Sequence, residues 1–130
     1  MKDREALLSA ARAARENSHA PHSQFRVGAA VRSASGRVFG GCNIESASYG
    51  LGACAERVAV LKAISEGERS LDAIAVVTDA EMPTPPCGAC RQILWEFCGD
   101  IEVVLATMKG EIEVHRLSAL FPRPFASSRR

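Results

Sequence analysis

Aromatic side chains and long apolar runs are both scarce in this sequence. Only 5% of its 130 residues are Phe, Trp or Tyr, and 16 Lys and Arg residues nearly balance 15 Asp and Glu residues. A surface that binds a polynucleotide combines basic and aromatic side chains, and this composition offers little of either. No stretch approaches the length of apolar chain that crosses a bilayer. We therefore predict no nucleic-acid partner and no membrane partner.

An export signal and a disulfide framework are also missing. The opening segment, MKDREALLSAARAAREN, interleaves charged residues and has no apolar core of a signal peptide, which predicts a cytoplasmic protein. The five cysteines are an odd number, and without an export signal they indicate metal binding or catalysis by some of them. With 47% hydrophobic residues the chain has enough apolar material for one domain, predicted to span residues 1–130.

The order of the helical and strand patterns predicts the fold class. Apolar residues recur at helical spacing, alternate as in strands, or form an unbroken run typical of a strand buried on both faces. The predicted helices cover residues 4–16, 54–66, 88–98 and 117–121, and the predicted strands cover 25–33, 37–45, 72–79, 101–107 and 111–117. This order predicts an α/β protein, a three-layer α/β/α sandwich around a mixed five-stranded sheet.

Three cysteines lie at the predicted starts of two helices. Cys87 and Cys90 are three residues apart, so they face the same way on one helical turn, and Cys54 begins the preceding helix. Free N–H groups and the dipole at a helix start favour thiolate over thiol. If the two helices are neighbours, the three thiols converge. Three thiolates with an open fourth position form a catalytic type of zinc site, so we predict one Zn²⁺ per chain.

The remaining cysteines and the histidines are weaker candidates. Cys42 lies in a strand pattern and Cys98 at a helix end, where a cysteine usually serves as a small apolar side chain. His19, His22 and His115 have no partner at the spacing of metal ligands. The fourth position is therefore predicted to hold water.

Glu56 follows Cys54 by two residues in the first turn of the helix. A carboxylate at a helix start commonly does no more than complement the helix dipole. A carboxylate beside zinc-bound water can also take its proton and pass it to a substrate nitrogen. The combination of Cys54-x-Glu56 with Pro86-Cys87-x-x-Cys90 favours the second interpretation.

This combination resembles the three-cysteine signature of the zinc nucleoside and base deaminases. The segments FRVGAAV, GCNIESASYG, CAERVAVLKAISEG, PCGACRQILWEF and LFPRPF are similar, in order and spacing, to the small homotetrameric cytidine deaminases. The resemblance covers nearly the whole chain, from about Arg4 to Phe125. It implies a cytidine deaminase-like fold and a zinc-dependent hydrolase that acts on the C–N bond of a cyclic amidine.

The resemblance also implies a reaction and a role for each matching residue. Cytidine and 2′-deoxycytidine would become uridine and 2′-deoxyuridine with release of ammonia, in pyrimidine salvage. Cys54, Cys87 and Cys90 match the zinc ligands; zinc-bound hydroxide would attack C4 while Glu56 moves the protons. The other matches are Asn43 and Glu45 for the ribose hydroxyls, Phe25 and Ala55 for the base, Tyr49 and Phe125 for a neighbouring subunit's pocket in a homotetramer, and Arg57 for a hydrogen bond to the thiolates.

One departure from the family pattern keeps a second substrate class open. Where the family has Tyr-x-Pro-Tyr-Ser, this chain has His19-Ala20-Pro21-His22-Ser23. The second tyrosine of that pattern lies near the nucleoside and the subunit contact, so a deaminase of another aminated pyrimidine, such as blasticidin S or an N4-modified cytidine, stays an alternative.

Three interpretations come from other functional classes. A zinc module without activity would need a fourth protein ligand and would have no use for Glu56. A polynucleotide-editing deaminase would need the basic and aromatic surface that is missing. A thioredoxin-like redox pair at Cys87 and Cys90 gives no reason for Cys54 and Glu56.

Overall fold

The structure is a computed structural model, and it describes residues 2–125. It contains four α-helices, five strands and one short 3₁₀ turn, Tyr49–Leu51. The helices are α1 (Lys2–Arg15), α2 (Ala55–Ser65), α3 (Gly88–Cys98) and α4 (Leu117–Leu120), and the strands are β1 (Val27–Ser33), β2 (Val38–Cys42), β3 (Leu71–Thr78), β4 (Glu102–Thr107) and β5 (Ile112–Arg116). None of the helices within residues 2–125 has the length and apolar character needed to cross a membrane.

The five strands form a single mixed sheet in the order β2-β1-β3-β4-β5. The pair β3–β4 is parallel, and the other neighbouring pairs are antiparallel. A parallel pair needs a crossover connection, and α3 provides it between β3 and β4. The predicted mixed five-stranded sheet is therefore confirmed.

Alternate residues of the central strands face two separate hydrophobic layers. On one face, Ala30, Ala75, Val77 and Val104 pack with Leu7, Leu8 and Ala11 of α1. On the other face, Val31, Ile74, Val76 and Leu105 pack with Ala59 of α2 and Leu94 of α3. Side chains of a strand alternate between the faces of a sheet, so both faces are apolar and both are covered. The three layers predicted from the sequence are the layers observed.

The second strand ends earlier than its sequence pattern predicts. The apolar alternation runs to residue 45, but β2 ends at Cys42. Beyond it, Ile44 pairs with Ala53, to which its N–H donates at 3.0 Å, and the Asn43 carbonyl accepts the N–H of His19 at 3.0 Å. Asn43 keeps one backbone hydrogen bond to β1, from its N–H to the Val27 carbonyl at 3.2 Å, and residues 44 and 45 then leave the sheet and lie between two loops.

Two glycines allow helices to lie unusually close to the sheet. A Cβ atom at Gly28 would lie 2.0 Å from the Ala11 carbonyl oxygen of α1. A Cβ atom at Gly41 would lie 2.6 Å from the backbone nitrogen of Ala59 in α2. Any larger residue at position 41 would push α2 outward. Gly41 thus sets the distance between β2 and the helix whose first turn carries Glu56.

Candidate active site and metal centre

The three predicted thiols meet at the starts of two neighbouring helices. Cys54 directly precedes α2, Cys87 directly precedes α3, and Cys90 lies buried in the first turn of α3. Their sulfur atoms all lie within 4.8 Å of one another. Neither Cys54 nor Cys87 uses its side chain to cap its helix, so both sulfurs are available to a metal.

The chemistry of this group fits zinc. Sulfur ligands at tetrahedral spacing are typical of Zn²⁺, and three protein ligands leave a position for water or substrate. Among residues 2–125, no histidine or carboxylate joins the three thiols. The fourth protein ligand that a purely structural zinc module needs is therefore missing from this part of the chain.

The other two cysteines stay outside the group, as the sequence predicts. Cys98 packs against the hydrophobic core, and burial raises the pKa of its thiol to about 12. Cys42 is half-buried at the end of β2. Among the described residues, neither cysteine belongs to a group of side chains that could hold a metal ion.

The thiol group is poised to ionise at Cys54. A hydrogen bond with the Cys90 thiol is the largest influence, and together with the Arg57 guanidinium it lowers the pKa of Cys54 to about 5 in spite of burial. The same hydrogen bond and burial raise the pKa of Cys90. Nη2 of Arg57 lies 3.9 Å from the sulfur of Cys54, and its buried Nε has no hydrogen-bond partner among the described residues. Arg57 thus places positive charge beside the thiols.

Glu56 is a buried carboxyl group, with 6% of its surface exposed. Burial raises its pKa to about 7, and the negative charge of Cys54 acts in the same direction. A group with a pKa near neutrality can both accept and donate a proton during one reaction cycle. The environment of Glu56 therefore suits proton transfer better than a role at the helix surface.

Most of the predicted site residues line a single cavity of about 300 Å³. Glu56 and two of the thiols, Cys54 and Cys87, contribute to its wall. The residues expected beside the base and the ribose line it as well: Phe25, Asn43, Glu45 and Ala55. This volume is at the lower end of the range for small-molecule sites. Zinc ligands, carboxylate and substrate-binding candidates thus share one small space.

A second cavity, of about 520 Å³, adjoins the first. It shares Asn43, Glu45 and Cys54 with the first cavity. His22, Tyr49 and Arg57 line the second cavity and do not line the first. The rings of His22 and Tyr49 make an edge contact, with centroids 5.3 Å apart. His22, one of the two histidines that depart from the family pattern, is therefore part of the wall of this second cavity.

Phe125 lies apart from both cavities, with 77% of its surface exposed. Its backbone is held by Gln92 of α3, whose Nε2 donates to the Phe125 carbonyl at 2.9 Å. The Oε1 atom of Gln92 accepts the Phe125 N–H at 3.1 Å. Within one copy of the chain, Phe125 therefore adds nothing to the wall of either cavity.

Asn43 is fixed by the loop that connects α1 to β1. Its Oδ1 atom accepts the Val27 N–H at 2.9 Å and a hydrogen bond from the Ser18 hydroxyl. Its Nδ2 atom donates to the Phe25 carbonyl at 2.7 Å. Asn43 thus joins the end of β2 to the segment that carries Phe25.

Glu45 is fixed by the same loop. Its Oε1 atom accepts the N–H groups of His22 at 2.9 Å and Ser23 at 3.1 Å. Its Oε2 atom accepts the Ser23 hydroxyl. These bonds, with that of the Ser23 hydroxyl the largest influence, lower the pKa of Glu45. The carboxylate is therefore charged and oriented before any substrate binds.

Several residues that hold the site together belong to no motif in the sequence. Besides Ser18, Ser23 and Gln92, Arg91 links three segments, because its Nε donates to the Pro86 carbonyl at 2.7 Å and its Nη1 to the Leu120 carbonyl at 2.8 Å. The only signals in the sequence were the position of Arg91 directly after Cys90 and of Ser23 beside the Pro-His pair.

Comparison with known proteins identifies the family. A family model described as the cytidine and deoxycytidylate deaminase zinc-binding region matches residues 1–107. The chain is 49% identical over 126 residues to a cytidine deaminase of Halalkalibacterium halodurans, covering 96% of each chain. It is 46% identical to a cytidine deaminase of Sporosarcina psychrophila, covering 95% of this chain and 92% of the relative.

A solved structure agrees with these matches. The crystal structure of cytidine deaminase from Burkholderia pseudomallei superposes with a TM-score of 0.90 at 48% identity, covering 93% of this chain and 98% of the other. Zinc is the cofactor that the matched region implies, and the three converging thiols are consistent with one ion per chain. The chain is thus an enzyme, a hydrolase that belongs to the zinc-dependent cytidine deaminase family.

Proposed function

We propose that this enzyme deaminates cytidine and 2′-deoxycytidine hydrolytically to uridine and 2′-deoxyuridine, with release of ammonia. The observation that carries the proposal is the shared cavity, in which two of the three converging thiols, the buried Glu56 and the pair Asn43 and Glu45 all line the wall. The similarity to proteins named cytidine deaminases supports this substrate.

Each residue of the cavity has a defined task in this proposal. Cys54, Cys87 and Cys90 hold zinc. When bound, zinc lowers the pKa of water so that it can act as a nucleophile at neutral pH. Glu56 carries the protons, first to N3 of the pyrimidine and then to the departing amine, and a pKa of about 7 suits both steps.

The remaining residues hold the substrate. Asn43 and Glu45 offer an amide and a charged carboxylate to the ribose hydroxyls. Phe25 lies against the pyrimidine, and the backbone of Ala55 holds its edge. Arg57 draws negative charge away from the thiolates and so keeps the bound zinc a stronger acid.

The direct test is an assay of the purified, zinc-loaded protein. Absorbance at the cytidine band should fall on mixing with cytidine or 2′-deoxycytidine, and zinc analysis should give about one ion per chain. The Cys87→Ala variant is the matched control for activity that does not come from this site. A zinc-loaded protein that converts neither nucleoside would contradict the proposal.

A second candidate substrate follows from His22. This side chain lines the cavity beside Asn43 and Glu45 where the family pattern has a tyrosine, so the wall carries a smaller and more polar ring at that place. Blasticidin S and N4-methylcytidine therefore belong in the same assay. Faster turnover of either compound than of cytidine would favour this alternative.

The proposal includes a homotetramer in which neighbouring subunits complete the site. Phe125 and Tyr49, both expected at a neighbour's pocket, are 77% and 76% exposed in one copy. Exposed apolar groups of this size often mark an interface, and closed oligomers with two-fold axes bring such patches together. Light scattering should give the mass of four chains.

A truncation tests the role of Phe125 itself. A chain that ends after Arg123 should bind cytidine more weakly and keep its zinc, because the deletion removes no thiol. A fully active monomer would contradict the shared site. Pyrimidine salvage and a cytoplasmic location complete the proposal as its physiological setting.

A further inference from the structure

Ser23 is hydrogen-bonded to two of the residues that are expected to hold the nucleoside, Glu45 and Phe25. Its hydroxyl donates to Oε2 of Glu45 and accepts the backbone N–H of Phe25 at 3.0 Å. Its own backbone N–H donates to Oε1 of Glu45 at 3.1 Å. One small residue therefore joins the carboxylate of the ribose pair to the segment that carries the aromatic ring.

The backbone next to Ser23 needs such support. Gln24 has a φ of +57°, a left-handed conformation that non-glycine residues seldom adopt. Such a backbone conformation is stable only where several surrounding contacts hold it in place. The Gln24 N–H donates to the Ala20 carbonyl at 3.0 Å, and the hydrogen bonds of Ser23 hold the chain on either side. The turn brings Ser23 and Phe25 to the same cavity wall.

The bonds to Glu45 leave room for a ligand. A carboxylate has about four acceptor positions. Oε1 accepts two N–H groups, whereas Oε2 accepts only the Ser23 hydroxyl among the described residues. The free position on Oε2 is therefore the one open to a substrate hydroxyl, and the Ser23 hydroxyl fixes the direction in which Oε2 points.

We propose that Ser23 is a positioning residue for substrate recognition: it aims Oε2 of Glu45 at a ribose hydroxyl and couples that contact to the placement of Phe25. The inference rests on the proposed function. It assigns to Ser23 a share of the discrimination between a nucleoside with ring hydroxyls and one without them.

The test compares kcat/KM for cytidine with kcat/KM for 2′,3′-dideoxycytidine, which lacks both ring hydroxyls. Wild-type enzyme should prefer cytidine by roughly tenfold or more, as expected for a hydrogen bond to a charged group. Ser23→Ala should raise KM for cytidine by about tenfold, change kcat by less than about threefold, and remove most of the preference.

Two matched variants separate positioning from folding. Ser23→Thr keeps the hydroxyl and should restore the preference, and position 23 is exposed enough to take one more methyl group. Ser9→Ala replaces an exposed serine on α1 and should leave the preference for cytidine unchanged. Zinc content and the melting temperature of each variant report on folding.

A second measurement does not depend on Ser23→Ala alone. On a Glu45→Gln background the Ser23→Ala change should have little further effect on the preference, because residues that act through one another are not additive. Full additivity, or a wild-type preference that survives Ser23→Ala, would overturn the inference.

The wild-type data distinguish this failure from that of the proposed function. A wild-type enzyme that does not deaminate cytidine overturns both. A wild-type enzyme that deaminates cytidine and dideoxycytidine equally well overturns the ribose role of Glu45, and with it the role of Ser23, but leaves the deaminase.

Discussion

The starts of α2 and α3 are alike in backbone and different in chemistry. Each helix follows a cysteine with extended backbone, Cys54 at φ −76° and ψ 155° and Cys87 at φ −65° and ψ 168°. The first turn of α3 adds another thiol, Cys90, and no acidic residue. The first turn of α2 adds Glu56 and Arg57. In the proposed reaction, the start of α3 holds the metal, and the start of α2 both holds the metal and moves protons.

This difference predicts that the two functions can be separated by mutation. Changes at the start of α3 should affect the metal and everything that depends on it. Changes to the carboxylate of α2 should affect the reaction and leave the metal in place.

The largest effect is expected for Cys87→Ala. It removes one of three thiols, so zinc content, activity and melting temperature should all fall together, because binding of the metal also stabilises the fold. Metal analysis, the cytidine assay and thermal denaturation measure the three quantities.

The matched controls for this variant are Cys42→Ala and Cys98→Ala. Both should keep zinc near one per chain, because neither cysteine belongs to the converging group. Loss of zinc from Cys42→Ala would show that the assignment of three ligands is wrong.

Glu56→Gln should separate reaction from metal. The amide cannot carry protons, so kcat/KM should fall by at least about 10²–10⁴ while zinc content stays near one per chain. Parallel metal analysis and kinetics on the same sample provide the measurement. A variant with a nearly normal rate would rule out the proton transfer proposed for Glu56.

Gly41→Ala should disturb α2 and not α3. The new Cβ atom would lie 2.6 Å from a backbone nitrogen of α2, and such overpacking typically costs about 1–3 kcal/mol. We expect a lower melting temperature and a lower kcat, since Glu56 moves with the helix. Gly50→Ala, where nothing lies within 4 Å of the added atom, is the control for stability. Equal melting temperatures of the two variants would contradict this account.

The smallest effect is expected on the face of the sheet that α1 covers, away from α2 and α3. There, Arg4 of α1 donates two hydrogen bonds to the Glu102 carboxylate, at 2.8 and 3.1 Å. This contact lowers the pKa of Glu102 in the folded chain. The stabilisation is therefore present above the unfolded pKa, about 4.3, and lost as the pH falls through the lower folded value.

The Glu102→Gln variant checks this sign. Its stability should depend less steeply on pH in the acid range, measured by denaturant unfolding from pH 6 downward, with activity at pH 7 unchanged. An acid-range slope equal to that of the wild-type chain would contradict the assignment.

The features predicted well from the sequence are those with local signals. The bounds of α3 are the predicted residues 88–98, because Pro85 and Pro86 prevent an earlier start and Gly99, at φ +73°, ends the helix. The spacing of the thiols predicts that they converge if α2 and α3 are neighbours, and the sulfur atoms do lie within 4.8 Å of one another. The unbroken apolar run of residues 72–79 likewise predicts a strand that is covered on both faces of the sheet.

The features that the sequence could not predict depend on distant partners. Asn43 and Glu45 bond to residues 16 to 25 positions earlier in the chain, and no local pattern encodes such contacts. The early end of β2 has a similar origin, because the backbone of residues 43 and 44 pairs with His19 and Ala53 of two loops. The placement of Tyr49 and Phe125 at a neighbour's pocket rests on the resemblance and on the exposure of both side chains, and it stays a prediction.

The position of the thiols at two separate helix starts has a consequence for the unfolded chain. Cys54 and Cys87 are 33 positions apart (87 − 54), so a metal bound to both closes a loop of that length. A cross-link of this span restricts the unfolded ensemble by an amount worth about 3–4 kcal/mol in the chain-entropy estimate for disulfides. By that measure the bound ion stabilises the fold as a reversible cross-link, and the stabilisation depends on the metal concentration. Chelation would then loosen the starts of α2 and α3 before the α1 face of the sheet, and the enzyme would lose its order first where its chemistry lies.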